Sequence, residues 1–160
     1  MAESLSLDRT DLRLLALLQQ DGRATNTDIA AQISLSPSAC LRRIQRLEAA
    51  GIIRGYAALV DPKSVGLGLQ AFVRVQLEKH GQLGLDPFIE GVNSWDEVVA
   101  CHALTGDMDY LLHVVVQDLE HFSQFLLDKL INATGVADVN SSFVLRTVKQ
   151  TRALPLGHLA

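Results

Sequence analysis

Four arginines and two serines in the first half of the chain have the chemistry to contact DNA. A guanidinium group forms paired hydrogen bonds with a guanine edge and also binds phosphate strongly, and a serine hydroxyl donates to either. We predict base-edge contacts from Ser38, Arg42 and Arg43, and backbone contacts from Ser36, Arg46 and Arg54. The alternative interpretation is that these arginines form a solvated basic face on an ordinary helix.

Cysteine and histidine in the second half allow a metal-sensing alternative. If Leu104 pairs with Tyr110 across a hairpin, Cys101 lies opposite His113, and a shift of one residue would pair His102 with His113 instead. Two ligands do not make a metal site, and histidines in strands are more often packed or hydrogen-bonded. We therefore predict no metal, and a metal-responsive regulator remains an alternative.

The two cysteines, Cys40 and Cys101, are far apart and form no C-x-x-C pair. This usage is typical of free thiols in a reducing compartment. Because Cys40 falls within the arginine-rich segment, a thiol-responsive regulator is a further alternative. We favour the simpler interpretation, in which Cys40 is a small residue packed against its neighbours.

Catalytic patterns are missing from the sequence. It contains no nucleophile elbow, no phosphate-binding loop and no H-E-x-x-H run, and the acids Asp107 and Asp109 share a turn without a clear catalytic partner. We predict that the protein is not an enzyme and has no cofactor. A small enzyme of amino-acid metabolism is the alternative, and turnover of an amino acid would support it.

Composition and charge are compatible with a cytoplasmic protein of one or two domains. The chain has 160 residues, 48% of them hydrophobic, and no apolar run of the roughly 18 to 20 residues that cross a bilayer. Its first residues lack the pattern of a secretory signal. The net charge of -4 is unevenly distributed: residues 1–61 carry seven basic and seven acidic side chains, whereas residues 62–160 carry seven and eleven. The acidity therefore lies in the second half, away from the arginines.

Residues 1–60 are predicted to form a helix-turn-helix domain. The helices are expected from Asp8 towards Asp21, from Thr25 to Ile33 and from Pro37 to Gly51, with a tight turn over Ser34–Ser36. In the third helix an apolar stripe of Leu41, Ile44 and Leu47 should face the core. Ile52 to Val60 is rich in β-formers and predicts a short strand.

The second half predicts a different fold, after a hinge over residues 61–68. Strands are expected over Leu69–Leu77, Val98–Leu104, Tyr110–Val116 and Val139–Val148, one helix over Asp86–Val92 with Asp86 as its cap, and another from Asp118 to Leu130. The order βαββαβ is typical of a ferredoxin-like domain, here residues 69–150, followed by a tail over 151–160. The fold class is therefore α+β.

Apolar residues on both faces of this sheet predict self-association. One set is expected to alternate with the other along the strands: Phe72, Leu112, Val114, Val116, Val144 and Val148 against Leu111, Val115 and Phe143. Two helices cover only one face. We therefore expect at least a homodimer formed through the sheets.

Two long segments of the chain resemble the Lrp/AsnC family of leucine-responsive, feast/famine regulators. One runs from Leu35 through Leu-Arg-Arg-Ile-Gln-Arg-Leu-Glu to Pro62, and the other comprises Thr105-Gly-Asp-Met-Asp-Tyr-Leu-Leu and the stretch from Gly135 to Lys149. The resemblance implies a prokaryotic DNA-binding regulator that dimerises, assembles further to octamers in many cases, and responds to an amino acid. Ser34 departs from the glycine common at that turn. A dimer with two reading heads implies a roughly palindromic operator.

The resemblance also implies an effector site around the loop from Thr105 to Asp109, at a subunit interface. Thr105 and backbone N–H groups exposed at Gly106 suit a carboxylate, and Asp107 or Asp109 suits an ammonium group. The predicted effector-binding set is Thr105, Gly106, Asp107, Asp109, Tyr110, Ser141 and Ser142. Without the resemblance, the same loop would be interpreted as an ordinary hairpin turn. No residue in it selects one amino acid.

Overall fold

Two units make up the structure, a computed structural model that describes residues 6–78 and 85–159. One unit comprises Met1–Leu59 together with Lys149–Ala160, and the other comprises Val60–Val148. The segment predicted as a tail thus belongs with the first unit, where Leu156 packs on the core and Gln19 forms two hydrogen bonds with Leu154. The predicted hinge, residues 61–68, lies in the second unit and includes a 3-10 turn over Lys63–Val65.

The described part of the first unit contains three α-helices, α1 (Arg9–Gln20), α2 (Asn26–Ile33) and α3 (Pro37–Ala49), and a 3-10 turn over Gly157–Leu159. Asp8, Thr25 and Ser36 cap the α-helices, each side chain accepting a backbone N–H of the first turn. Their facing stripes form a core that includes Leu14, Leu15, Ile29, Ile33, Cys40, Ile44 and Leu47. The predicted helix-turn-helix is confirmed, and α3 is the helix that carries the arginines.

The turn between α2 and α3 depends on a left-handed residue. Ser34 has φ 58° and ψ 46°, the conformation that glycine adopts without strain. Leu35 follows it and donates its N–H to the carbonyl of Ala30, which closes the end of α2. The turn therefore accommodates Ser34 in place of the common glycine, at some cost in backbone energy.

The predicted apolar stripe of α3 was wrong at one position. Cys40, Ile44 and Leu47 are buried, whereas Leu41 is 40% exposed. Positions 40, 44 and 47 follow one helical face, and Leu41 lies about 100° further round the helix from Cys40. The sequence pattern fitted either set, because Cys40 and Leu41 are adjacent and a free cysteine packs in a core as a small apolar residue.

The strand predicted over Ile52–Val60 was also wrong. These residues form a bend and irregular backbone, and no strand is assigned there. A β-prone segment becomes a strand only where a second strand satisfies its backbone, and the described part of the first unit offers none. Tyr56 instead donates its hydroxyl to Glu48, 3.0 Å away.

The second unit is a four-stranded antiparallel sheet with helices on one face. Its elements are β1 (Leu69–Leu77), α4 (Leu85–Ser94), β2 (Val98–Ala103), β3 (Tyr110–Val116), α5 (Leu119–Gln124) with a π-helical turn over Phe125–Leu130, and β4 (Val136–Phe143). The strand order is β2-β3-β1-β4. This is the ferredoxin-like arrangement predicted from the order βαββαβ. α4 begins at Leu85, one residue before the predicted cap Asp86, so Asp86 lies within the helix; its side chain is outside the described residues.

The last strand lies earlier in the chain than the predicted Val139–Val148. β4 pairs with β1 from Leu77↔Val136 to Ala71↔Phe143, with one more hydrogen bond from Val144 to Gln70. β1 begins at Leu69, which is opposite Leu145 in this register, so the residues after Leu145 have no strand beside them, and Leu145 itself is 99% exposed. Their β-branched composition alone suggested a longer strand.

The hairpin register also differs from both pairings considered in the sequence. Ala103 pairs with Tyr110, Cys101 with Leu112 and Ala100 with His113, and the hydrogen bond from Leu104 to the carbonyl of Asp109 closes the loop in the same register. Cys101 and His113 consequently lie on opposite faces of the sheet. The predicted alternatives of Cys101 opposite His113 and of His102 opposite His113 are both wrong.

The two faces of the sheet differ in burial. Ala71, Val73, Val75, Leu112, Val114 and Val116 face the helices and form the core with Phe88, Phe122 and Phe125. Phe72 and Phe143 exchange their predicted faces: Phe143 packs on Phe122, whereas Phe72 stacks on His113 on the side without helices, here called the open face.

Among the helices of the described residues, none is long and apolar enough to cross a membrane.

Candidate DNA interface and effector loop

Arg42 and Ser38 lie on the outer side of α3. At 100° per residue, Arg42 is about 160° round the helix from the buried Ile44. Both side chains are exposed, and among the described residues no hydrogen bond or ion pair involves Arg42. An open concavity of about 370 Å³ on this side is lined by Leu35, Ala39, Arg42, Arg43 and Arg46. Arg42 is therefore free to meet a base edge or a phosphate.

The other two arginines of α3 are held by acids of α1. Arg43 Nη1 lies 2.7 Å from Asp8 Oδ2 and 2.7 Å from Asp11 Oδ1, and Arg46 Nη2 lies 2.5 Å from Asp11 Oδ2. The side chain of Asp11 is fully buried, whereas that of Asp8 is 51% exposed. These four residues form the α1–α3 ion cluster. The cluster fixes the positions of both guanidinium groups. Their other N–H groups take no part in these ion pairs.

The charges in this cluster reinforce one another. The backbone N–H of Asp11 and the guanidinium of Arg43 hold the pKa of Asp8 below its usual value. The hydrogen bonds that Arg43 donates to Asp8 and Asp11 raise the pKa of Arg43. The same two acids exchange side-chain and backbone hydrogen bonds as a capping box at the start of α1.

Sequence reasoning missed Asp11. It lies on the same face of α1 as the core residues Leu14 and Leu15, which follow it by three and four positions. A carboxylate on a buried helical face needs a cationic partner, because an unpaired buried charge is very unfavourable. That placement was the signal, and it predicts an arginine or lysine on the facing helix.

The remaining predicted DNA contacts have different local settings. Ser36 caps α3 through its hydroxyl, which accepts the N–H of Ala39 at 3.2 Å and lies 3.2 Å from the hydroxyl of Ser38. Arg54 lies in the irregular segment after α3 and is exposed. Ser36, Ser38 and the arginines of α3 thus share one helix, and Arg54 follows it in the chain.

The loop predicted to bind an effector joins β2 to β3. Leu104 donates its N–H to the carbonyl of Asp109 at 2.8 Å, which closes the loop. Gly106 has φ 116°, a conformation that side chains disfavour, and a Cβ there would meet nothing within 4 Å. Thr105, Gly106 and Asp107 are all exposed. Their hydroxyl, backbone N–H and carboxylate groups are available to a ligand.

Asp109 and Tyr110 are already engaged within the unit. Asp109 Oδ2 accepts the N–H of Leu77 at 2.7 Å, and its own N–H donates to the carbonyl of Val75. The ring of Tyr110 packs against Phe88 with centroids 5.0 Å apart. Asp107 is therefore the acid of this loop with no partner among the described residues.

Ser141 and Ser142 lie apart from the loop within one chain. They belong to β4, which is separated from β3 by β1, and they pair with Val73 and Phe72. Their side chains point to opposite faces of the sheet. A single ligand on one chain would not contact both of them together with the loop.

The described cysteines and histidines are not arranged as a metal site or a reactive thiol. Cys40 is completely buried in the core of the first unit, and this burial raises the pKa of its thiol, which disfavours the reactive thiolate. Burial also raises the pKa of Cys101. Within the described ranges no group of three or more potential ligands is placed to hold a metal ion.

Comparison with known protein families agrees with both units. Residues 7–54 match the winged helix-turn-helix DNA-binding family, and residues 70–154 match the Lrp/AsnC ligand binding domain. The second match alone covers more than half of the chain.

Individual relatives are similar along nearly their whole length. A crystal structure of a transcriptional regulator from Neisseria meningitidis in complex with L-Met is 50% identical, has a TM-score of 0.94 and covers 96% of this chain and 99% of that one. The DNA-binding transcriptional activator DecR of Escherichia coli is 37% identical over 94% of this chain and 99% of its own. The leucine-responsive regulatory protein of Escherichia coli is 36% identical over 92% and 90%. The chain therefore belongs to the Lrp/AsnC family of transcriptional regulators, with a DNA-binding winged helix-turn-helix and a ligand-binding domain.

Proposed function

We propose that this regulator binds operator DNA through α3 and that an amino acid bound at the loop Thr105–Asp109 changes its operator affinity. The favoured effector class is a neutral amino acid with an apolar side chain, such as L-methionine. The protein acts as a sensor in the cytoplasm and does not turn its ligand over. The observation that carries the proposal is the free outer face of α3 together with the L-Met complex of the Neisseria relative.

DNA contacts are proposed to follow the arrangement of α3. Ser38, Arg42 and Arg43 contact base edges, and Ser36, Arg46 and Arg54 contact the phosphate backbone. Arg42 supports this most directly, because its guanidinium is unpaired in the described part of the chain. For Arg43, only the donors not used by Asp8 and Asp11 are open to a base.

Effector binding is proposed to need two subunits. Thr105 and the N–H groups near Gly106 would bind the carboxylate, and Asp107 would bind the ammonium group. Asp109 and Tyr110 hold the loop in place. Ser141 and Ser142 would reach the site only from another copy, since β4 lies away from the loop in the same chain. Because their side chains point to opposite faces of the sheet, one of the two would contact the ligand through its side chain.

Assembly through the open face would supply the second copy. Phe72 is 41% exposed there and stacks on His113, and helices cover only the opposite face. A homodimer formed by two open faces would bury these groups, and further association to an octamer would bring loops together. Two reading heads imply a roughly palindromic operator, with half-sites about one helical turn apart or a multiple of that spacing.

The first experiment is a gel-shift titration on DNA from upstream of the protein's own gene, repeated with each of the twenty amino acids. We expect a specific shift that L-methionine or another apolar amino acid alters. Matched DNA of scrambled sequence and equal length is the control. Binding that is indifferent to sequence would contradict operator recognition, and indifference to every amino acid would contradict amino-acid sensing.

Turnover separates the regulator from the enzyme alternative. Purified protein incubated with the amino acid that alters the shift should return it chemically unchanged, as followed by mass spectrometry. A product that accumulates in proportion to protein concentration would favour the enzyme.

A further inference from the structure

The basic character of α3 is largely cancelled within the first unit. Three arginines lie on α3, but Arg43 and Arg46 are paired with Asp8 and Asp11 of α1, so the α1–α3 ion cluster has two positive and two negative charges. Among the described residues, Arg42 is the one arginine of α3 without an acidic partner. A reading helix with a neutralised flank attracts phosphate backbones less than its sequence suggests.

The two acids hold the arginines in different ways. Asp11 is fully buried and uses both oxygens, one for each arginine, so its contacts are fixed by the fold. Asp8 is half exposed and shares Arg43 Nη1 with Asp11. An exposed acid in this position competes with any phosphate that approaches Arg43, whereas the buried acid orients both guanidinium groups.

We propose that Asp8 and Asp11 are specificity-determining residues, which weaken the attraction of α3 for non-operator DNA and orient Arg43 and Arg46 for the operator. This inference rests on the proposed function, namely DNA binding through α3. Random DNA must displace Asp8 to reach Arg43, and it gains no base contact in return. An operator gains the oriented contacts, so the acids widen the difference between the two affinities.

The test measures binding to a random-sequence duplex and to the operator as salt is varied, with Asp8→Asn as the main variant. Asparagine keeps the helix cap and removes the charge. If one arginine becomes free to bind one more phosphate, the slope of log affinity against log salt for the random duplex should steepen by about 0.9. When salt is lowered from 1 M to 0.1 M, the affinity of the variant for the random duplex should therefore rise roughly eightfold more than that of the wild type. Operator affinity should rise less, so the ratio of operator to random affinity should fall.

Asp21→Asn is the matched control. It removes one charge from the same unit, and among the hydrogen bonds of the described residues its carboxylate accepts only the backbone N–H of Arg23. Its slope should stay within error of the wild type. Equal slopes for Asp8→Asn and Asp21→Asn would overturn the inference, as would a failure of either protein to bind random duplex at any salt concentration.

Asp11→Asn tests the orienting role. It should raise random binding while lowering the ratio of operator to random affinity by about tenfold, the discrimination carried by one base contact. A purely structural role would instead lower both affinities together with the melting temperature. A wild type that binds random DNA but has no preferred operator would count against the proposed function, while the slope of Asp8→Asn would still decide whether the acids screen α3.

Discussion

Arg42 is the residue of α3 whose guanidinium is neither paired nor buried in the described part of the chain. Its replacement by alanine should weaken operator binding by about 1–3 kcal/mol, because a bidentate contact to a base edge is lost. Stability should change by less than about 0.5 kcal/mol, as expected at an exposed site without a partner. Fluorescence anisotropy with labelled operator and urea unfolding measure the two quantities.

Arg23→Ala is the control for that measurement. Arg23 is also exposed in the first unit, but it lies in the turn before α2 instead of on α3. If Arg42→Ala lowered operator and random affinity by the same factor, Arg42 would bind phosphate and not a base.

Asp107 and Asp109 should separate ligand binding from stability. Asp107→Ala should raise the amino-acid concentration for a half-maximal response at least tenfold, because a charge-assisted hydrogen bond to the ammonium group is worth about 1.5–3 kcal/mol. Its unfolding free energy should stay unchanged. Titration calorimetry with the amino acid and urea unfolding report the two effects.

Asp109→Ala should show the reverse pattern. Its carboxylate accepts the N–H of Leu77, so its removal should lower the unfolding free energy by about 1 kcal/mol. A stability loss in Asp107→Ala, or none in Asp109→Ala, would show that the two acids have been assigned to the wrong roles.

At the scale of the element, the α2–α3 turn stores strain at Ser34. A left-handed residue with a side chain costs about 1–2 kcal/mol relative to the right-handed conformation. Ser34→Gly should remove this strain and, after the larger chain entropy of glycine is subtracted, raise the unfolding free energy by about 0.5 kcal/mol. Ser34→Val should lower it by more than 1 kcal/mol, since a β-branched side chain is least tolerated there. Equal stability of the three proteins would show that the turn is not strained.

The elements themselves could be predicted from the sequence wherever the signal was local. Caps such as Asp8 and Thr25 placed the helices, and the βαββαβ order predicted the ferredoxin-like sheet. The errors arose where a partner decides the structure. Residues 52–60 have the composition of a strand but no neighbouring strand in the described part of the chain. β4 ends opposite the first residues of β1.

The candidate sites divide in the same way. The arginines of α3 and the loop Thr105–Asp109 could be found by residue type and spacing. Other features depend on contacts between segments that are distant in the sequence. These are the ion pairs of Arg43 and Arg46 with Asp11 and the hydrogen bond that Asp109 accepts from the N–H of Leu77. Local sequence patterns do not identify the partners in such contacts. The one local signal is Asp11, an acid on a buried helical face that needs a cationic partner.

At the scale of the whole molecule, the open face of the sheet carries the group that should make assembly depend on pH. His113 stacks on Phe72 with ring centroids 4.7 Å apart, and its Nε2 lies 3.2 Å from Gln70 Oε1. Burial lowers the pKa of His113 below its ordinary value of 6.5. Other titratable or charged groups on this face, by strand register, are His102 on β2, Arg74 on β1 and Asp138 on β4.

Acidification should therefore weaken the proposed homodimer. Because the pKa of His113 is lowered in the folded protein, its surroundings on the open face favour the neutral ring. The contribution of the neutral ring to dimer stability is complete above about pH 6.5. As the pH falls below that value, separated chains take up the proton more readily than a dimer that buries the ring further, and Arg74 adds like charge nearby. The dimer dissociation constant, measured by sedimentation equilibrium, should be severalfold larger at pH 5.5 than at pH 7.5. His113→Phe keeps an aromatic ring on Phe72 but cannot titrate, so its dissociation constant should depend much less on pH. The same pH dependence in His113→Phe would move the effect to His102, and a pH-independent wild-type dimer would mean that His113 stays outside the interface.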